Sequence, residues 1–116
     1  MNILIASSEV APFSKTGGLA DVSGALPGAL RQLGHQPVVF TPLYRQVRQS
    51  GAVLEPTDVT FEIPIGSKVM IGHLLKGTIP GSDAPVYFVD QPEYFDRAQL
   101  YQEEGQDYKD NCERFV

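Results

Sequence analysis

The sequence predicts an α/β fold built on a parallel sheet, and three observations carry that prediction. A short apolar run, NILIA at residues 2–6, is followed by a glycine-containing loop and then by Leu19, Val22, Leu26, Leu30 and Leu33 at helical spacing. A second apolar run, QPVVFTP at 36–42, follows Gly34, a residue suited to ending a helix. Strand, helix and strand within 42 residues make a βαβ unit, whose crossover is right-handed and whose strands pair in parallel. Open sheets of this kind bind ligands beyond the carboxyl ends of their strands. The sequence places SSEVAPFSKTGG, residues 7–18, at that edge.

The first helix is expected to bury its leucine stripe and to kink, or to begin as a short segment, at Pro27, which removes one backbone hydrogen bond. Residues 43–58 are mixed, with a short helix expected around Tyr44–Gln49. VTFEIPI at 59–65 alternates, with Val59, Phe61, Ile63 and Ile65 on one face. Gly66-Ser67 is a two-residue turn that would return the chain as KVMIGHLLKG, and Pro64 keeps its strand near an edge. VYFVD at 86–90 reads as another buried strand, and QPEYFDRAQLYQEEGQD as a surface excursion. Asp107 and Asp110 suggest a helix start, with Tyr108, Cys112, Phe115 and Val116 as its apolar stripe. That stripe is still being established at residue 116, so the chain is expected to be part of a larger protein.

Composition narrows the function classes. The chain has 116 residues, 42% apolar and 20% charged, which is ordinary globular usage and enough for one domain. The formal charge of −5 arises in residues 59–116, which hold ten acidic and five basic side chains, while residues 1–58 balance at four of each. An acidic half without a basic face argues against nucleic acid as a partner. One cysteine, Cys112, leaves no internal disulfide, and His35 and His73 stand isolated, so no metal-ligand spacing is present. No apolar run approaches the ~18 residues a membrane span needs. A reducing cytoplasm is the expected setting.

The loop at 7–18 holds the parts of a diphosphate seat. The first N–H groups of a helix lack internal partners and carry partial positive charge, which favours an anion. Gly17 and Gly18 allow positive φ and close approach of the backbone to a ligand, and Lys15 adds a full charge. The loop is neither a Walker loop, since the lysine precedes the glycines, nor G-x-G-x-x-G, since no third glycine follows at the right offset. A dinucleotide-dependent dehydrogenase is therefore not indicated. On the residues alone, the glycines can also simply turn the chain, Asp21 can simply offset the helix dipole, and Glu9 can be an ordinary loop carboxylate. A non-catalytic phosphate- or nucleotide-binding module stays open at this point.

The wider wording is more specific. SSEVAPFSKTGGLADVSGALPGAL at 7–30, with K-T-G-G-L at its centre, closely resembles the N-terminal signature of bacterial glycogen synthases and plant starch synthases. The resemblance continues through LGHQPVVFTPLY, PVYFVDQPEYFDR and YKDNCERFV, and weakens at residues 45–80. It implies the Rossmann-like N-terminal starch synthase catalytic domain of a two-domain GT-B glycosyltransferase, here truncated: residues 1–116 as part of the N-terminal domain, with the C-terminal domain absent. It implies transfer of glucose from ADP-glucose to the non-reducing end of an α-1,4-glucan with retention, no cofactor and no metal, and an inactive fragment. It further implies Lys15 at the donor diphosphate, Thr16, Gly17 and Gly18 around the same phosphate and donor sugar, and Asp21 near the glucose or acceptor end. Glu9 would line that region too. Tyr94 in PEYF is a candidate for the acceptor surface, with ordinary packing as its competing role.

Overall fold

A computed structural model describes all residues from Met1 to Val116. The elements in chain order are β1 (Asn2–Ala6), α1 (Gly18–Gln32), β2 (Gln36–Pro42), α2 (Arg45–Gln49), β3 (Glu55–Ile65), β4 (Lys68–Thr78), β5 (Pro85–Asp90), α3 (Pro92–Phe95), β6 (Gln102–Glu103), β7 (Gln106–Asp107) and α4 (Asn111–Phe115). The main sheet has the order β1-β2-β5-β4-β3. β1, β2 and β5 are parallel, with Ile5 opposite Val39 and Val39 opposite Val86. The β3–β4 hairpin joins antiparallel to β5 and leaves β3, with Pro56 and Pro64, at the edge where a missing N–H is tolerated.

The sheet is covered on one face. Val39, Thr41, Val86 and Phe88 point to that face and are buried, with Phe13 meeting Phe88 edge-on at 5.1 Å. Residues of opposite parity, such as Leu4, Phe40 and Tyr87, point to the other face, where Phe40 and Tyr87 stack and Leu4 is exposed. No helix is long and apolar enough to cross a membrane.

Helix α1 departs from its expected packing. It runs unbroken past Pro27 and buries Ala20, Ser23 and Pro27, while Leu19, Val22, Leu26 and Leu33 are 51%, 63%, 41% and 74% exposed. The reason is close approach. A Cβ at Gly24 would lie 2.5 Å from the Ala11 carbonyl oxygen, so only the small-residue face can seat against the loop after β1. The helix stops where Gly34 takes φ +88°, which lets the His35 N–H reach the Leu30 carbonyl at 3.0 Å.

Two further expectations are corrected. Residues 91–107 are no surface excursion: Tyr94, Phe95 and Leu100 are buried in the core cluster, and the Gln91 side chain caps α3 by accepting from the Tyr94 N–H. The last helix starts at Asn111 rather than Asp107, which lies in β7. Its buried residue is Arg114, with Phe115 and Val116 exposed. Arg114 is accommodated because it donates to the Tyr94 carbonyl at 2.7 Å and to Asn111 Oδ1 at 2.7 Å and lies against the Phe95, Tyr108 and Phe115 rings.

Candidate ligand site at the glycine loop

β1 delivers the chain to the carboxyl edge of the sheet, and the loop that follows is packed rather than loose. The Ser7 N–H extends the β1–β2 ladder to the Phe40 carbonyl at 3.0 Å. Val10, Phe13 and Ser14 are buried, and a turn closes on the Val10 carbonyl, which accepts from Phe13 N–H at 2.9 Å and Ser14 N–H at 3.0 Å. The Ala11 N–H donates to the Ala20 carbonyl at 3.0 Å and Ser7 Oγ lies 2.8 Å from Ser23 Oγ, so the loop and the first turns of α1 form one unit.

Five of the residues singled out in the sequence fall into two contacts on this unit. Glu9, 4% exposed, accepts from the Thr16 N–H at 2.6 Å, Thr16 Oγ1 at 2.6 Å, the Gly17 N–H at 3.3 Å and the Tyr101 hydroxyl at 2.7 Å. Burial works to raise the Glu9 pKa, but these hydrogen bonds outweigh it and hold the carboxyl below its ordinary value. Lys15 Nζ meets both Asp21 carboxylate oxygens at 2.8 Å, and both side chains are more than half exposed. The Lys15 N–H is anchored on Gln46 Oε1 of α2 at 3.1 Å.

Gly17 and Gly18 sit differently from expectation. Neither takes positive φ; Gly17 is extended at φ −164° and Gly18 is the first residue of α1. A Cβ built on either would meet nothing within 4 Å. Gly17 is the N-cap of α1, where glycine is favoured, and at neither position does packing inside the chain demand a missing side chain, so the backbone there is open to close approach from outside. The Gly18 and Leu19 N–H groups have no hydrogen-bond acceptor in the chain, as befits the start of a helix without a side-chain cap. The start of α1 thus presents two amides without an acceptor and the positive end of a 15-residue helix dipole, with Lys15 in the loop that leads into it.

Tyr94 stands apart. It is 5% exposed, packs edge-on against Phe95, and its hydroxyl donates to Glu113 Oε2 at 2.7 Å. Burial and the Glu113 carboxylate push its pKa up to about 12. It borders a cleft of about 1190 Å³ over the open face of the sheet, floored by Phe40, Ile65 and Met70 and walled by Arg114 and Phe115. That cleft includes Ser7 and Ser8 at the end of β1 but none of residues 15–21, so it and the glycine loop are separate surfaces. Sequence reasoning missed Tyr101 and Tyr44. Tyr101 reaches Glu9, and the Tyr44 hydroxyl donates to the Ser8 carbonyl at 2.8 Å. The one hint was an apolar pair, Leu100-Tyr101, inside an otherwise polar stretch.

A three-stranded parallel core with a glycine loop at its carboxyl edge, leading into α1, defines a Rossmann-like α/β protein. Comparison with known proteins shows the family. The starch synthase catalytic domain family matches residues 2–116, and the chain belongs to that family. It is 50% identical over 115 residues to a glycogen synthase of Syntrophotalea carbinolica, covering 99% of this chain and 23% of that protein. It is 42% identical to a glycogen synthase of Rhodopirellula baltica, covering 100% of this chain and 25% of that one. The catalytic domain of starch synthase IV from Arabidopsis thaliana, solved with ADP and acarbose bound, superposes with a TM-score of 0.71 at 30% identity, over 89% of this chain and 21% of that chain. The fold is thus that of a GT-B glycosyltransferase catalytic domain, of which the chain spans about a quarter of the length of its relatives.

Proposed function

We propose that this chain is part of the N-terminal domain of a two-domain, cytoplasmic, retaining glucosyltransferase that moves glucose from ADP-glucose to the non-reducing end of an α-1,4-glucan. The observation that carries the reading is the glycine pair: Gly17 and Gly18 face open space, beside the unpartnered Gly18 and Leu19 amides and the Lys15 ammonium. Kinship with glycogen synthases, and a fold match to a starch synthase solved with ADP and acarbose, support the donor and acceptor classes.

The chemistry suits the parts. When the bond from glucose C1 to the diphosphate breaks, negative charge grows on the leaving oxygen, and fixed donors aimed at it lower the barrier. The Gly18 and Leu19 amides are such donors, preset by α1, and Lys15 supplies the mobile charge. Its pairing with Asp21 does not withhold it, because exposed ion pairs are worth about 0–1 kcal/mol. Asp21 then serves the glucose or acceptor end, with Thr16 and Gly17 shaping the wall of the donor site. Tyr94, buried and bonded to Glu113, borders the cleft that would receive the acceptor.

The test is glucose incorporation into glycogen from radiolabelled ADP-glucose, with UDP-glucose in parallel, by the full-length protein. Incorporation from ADP-glucose supports the reading. Binding of the nucleotide sugar with no transfer would instead support a non-catalytic binding module.

A further inference from the structure

We propose that Glu9 and Tyr101 are a positioning pair that holds the glycine loop in its ligand-ready shape, and that neither touches the substrate. The inference rests on the function proposed above for the loop and adds residues that act through it.

The geometry is that of an internal anion. One buried carboxylate collects four donors: two consecutive amides of the loop, the Thr16 hydroxyl and the Tyr101 phenol. A buried carboxylate with this many donors is fully satisfied and has no free lone pair directed outward for a sugar hydroxyl. By taking the Thr16 and Gly17 N–H groups it occupies part of the anion seat. What remains for an incoming phosphate begins at Gly18. Glu9 therefore sets the register of the seat along the backbone. Two adjacent glycines would otherwise give this stretch more conformational freedom than any other pair of residues.

Tyr101 makes the clamp a long-range one. Its phenol has a single proton and the ionised Glu9 has none to give, so that proton goes to Glu9 Oε2, while Ser8 Oγ lies 2.8 Å from the phenolic oxygen. The Tyr101 backbone is itself pinned: its carbonyl accepts from Asn111 Nδ2 at 2.8 Å and from the Tyr108 N–H at 3.0 Å, and its ring lies 5.6 Å from that of Phe115. The loop after β1 is thus held by the segment that carries the β6–β7 hairpin and α4, 92 residues further along the chain.

The experiment uses the full-length protein with Glu9→Ala, Glu9→Gln and Tyr101→Phe. It measures amide hydrogen exchange over residues 14–19 and the steady-state constants for ADP-glucose. Glu9→Ala is expected to speed exchange at Thr16 and Gly17 about ten- to a hundredfold and to raise KM for the donor about tenfold, with kcat falling less. Glu9→Gln keeps one oxygen for the two amides and is expected to rescue most of the protection, and Tyr101→Phe to fall between. Unchanged exchange in Glu9→Ala and Tyr101→Phe overturns the clamp. Faster exchange with unaltered KM overturns its link to the ligand. A wild-type protein that transfers no glucose would sink the proposed function instead, and the exchange data would still decide whether the clamp exists.

Discussion

Substituting Gly18 by alanine separates a ligand seat from a turn. Gly18 lies at the first helical position of α1 with no positive φ, and its new Cβ would meet no atom within 4 Å. Alanine is conformationally acceptable there and reduces the freedom of the unfolded chain, so the protein should gain about 0.4–1 kcal/mol of stability. The same methyl group stands directly beside the free Gly18 N–H, where a phosphate oxygen would sit at about 2.9 Å. Displacing one such donor contact costs about 2.7–4 kcal/mol of transition-state stabilisation, or roughly 10²–10³ in rate. The assay is paired: unfolding midpoint, and glucose transfer from ADP-glucose, for wild type and Gly18→Ala in the full-length protein. Higher stability with a large loss of rate is the expected result. Near-normal activity would refute the reasoning, because a glycine whose side-chain space is empty both of protein and of ligand has no role in binding.

Three other outcomes follow from the same geometry. Gly24→Ala should do the opposite of Gly18→Ala, since its Cβ would meet the Ala11 carbonyl oxygen at 2.5 Å; a loss of about 1–3 kcal/mol in denaturant titration is expected. Lys15→Ala should lower the transfer rate roughly 10²–10³-fold and change the unfolding midpoint by less than about 1 kcal/mol, because its only ion pair is exposed; Asp21→Asn should share the small stability change and also lower kcat. Glu9 is held below its ordinary pKa, so its contribution is fully present above about pH 4.3 and disappears as pH falls through the lower folded value; acid titration of the unfolding midpoint should show this loss, and Glu9→Gln should flatten it.

Much of the fold was legible because strands announce themselves by short apolar runs and turns by glycine and proline. β1, β2, β5, the Gly66-Ser67 hairpin and the edge position of Pro64 all lie where the pattern put them. Helix α1 shows where pattern reading fails. A leucine stripe is a statement about hydrophobicity, whereas this helix seats by backbone proximity, and proximity selects Ala20, Ser23 and Gly24. Leu19, Leu26 and Leu33 are left outward, with Leu30 half-buried. The segment 91–107 was misread because its buried side chains are interleaved with charges that face solvent. Tyr94, Phe95 and Leu100 follow no regular period that would flag a core face.

The site divides along the same line. Local chemistry, the lysine and glycines at a helix start after a strand, could be read from residues 7–21. The carboxylate–phenol contact could not, because Glu9 and Tyr101 are 92 positions apart and nothing in either neighbourhood refers to the other. The setting of the glycines also needed coordinates: neither takes positive φ nor faces a neighbouring atom within 4 Å, so the positive-φ turn that sequence alone left open is not what they provide.

The most direct measurement is the structure of the full-length protein with ADP bound. The account predicts diphosphate oxygens within about 3 Å of the Gly18 and Leu19 N–H groups, Lys15 Nζ turned from Asp21 toward the phosphate, and Glu9 still closed on Thr16 and Gly17. A diphosphate bound without contact to residues 15–19, with Lys15 still held by both Asp21 oxygens, would contradict it.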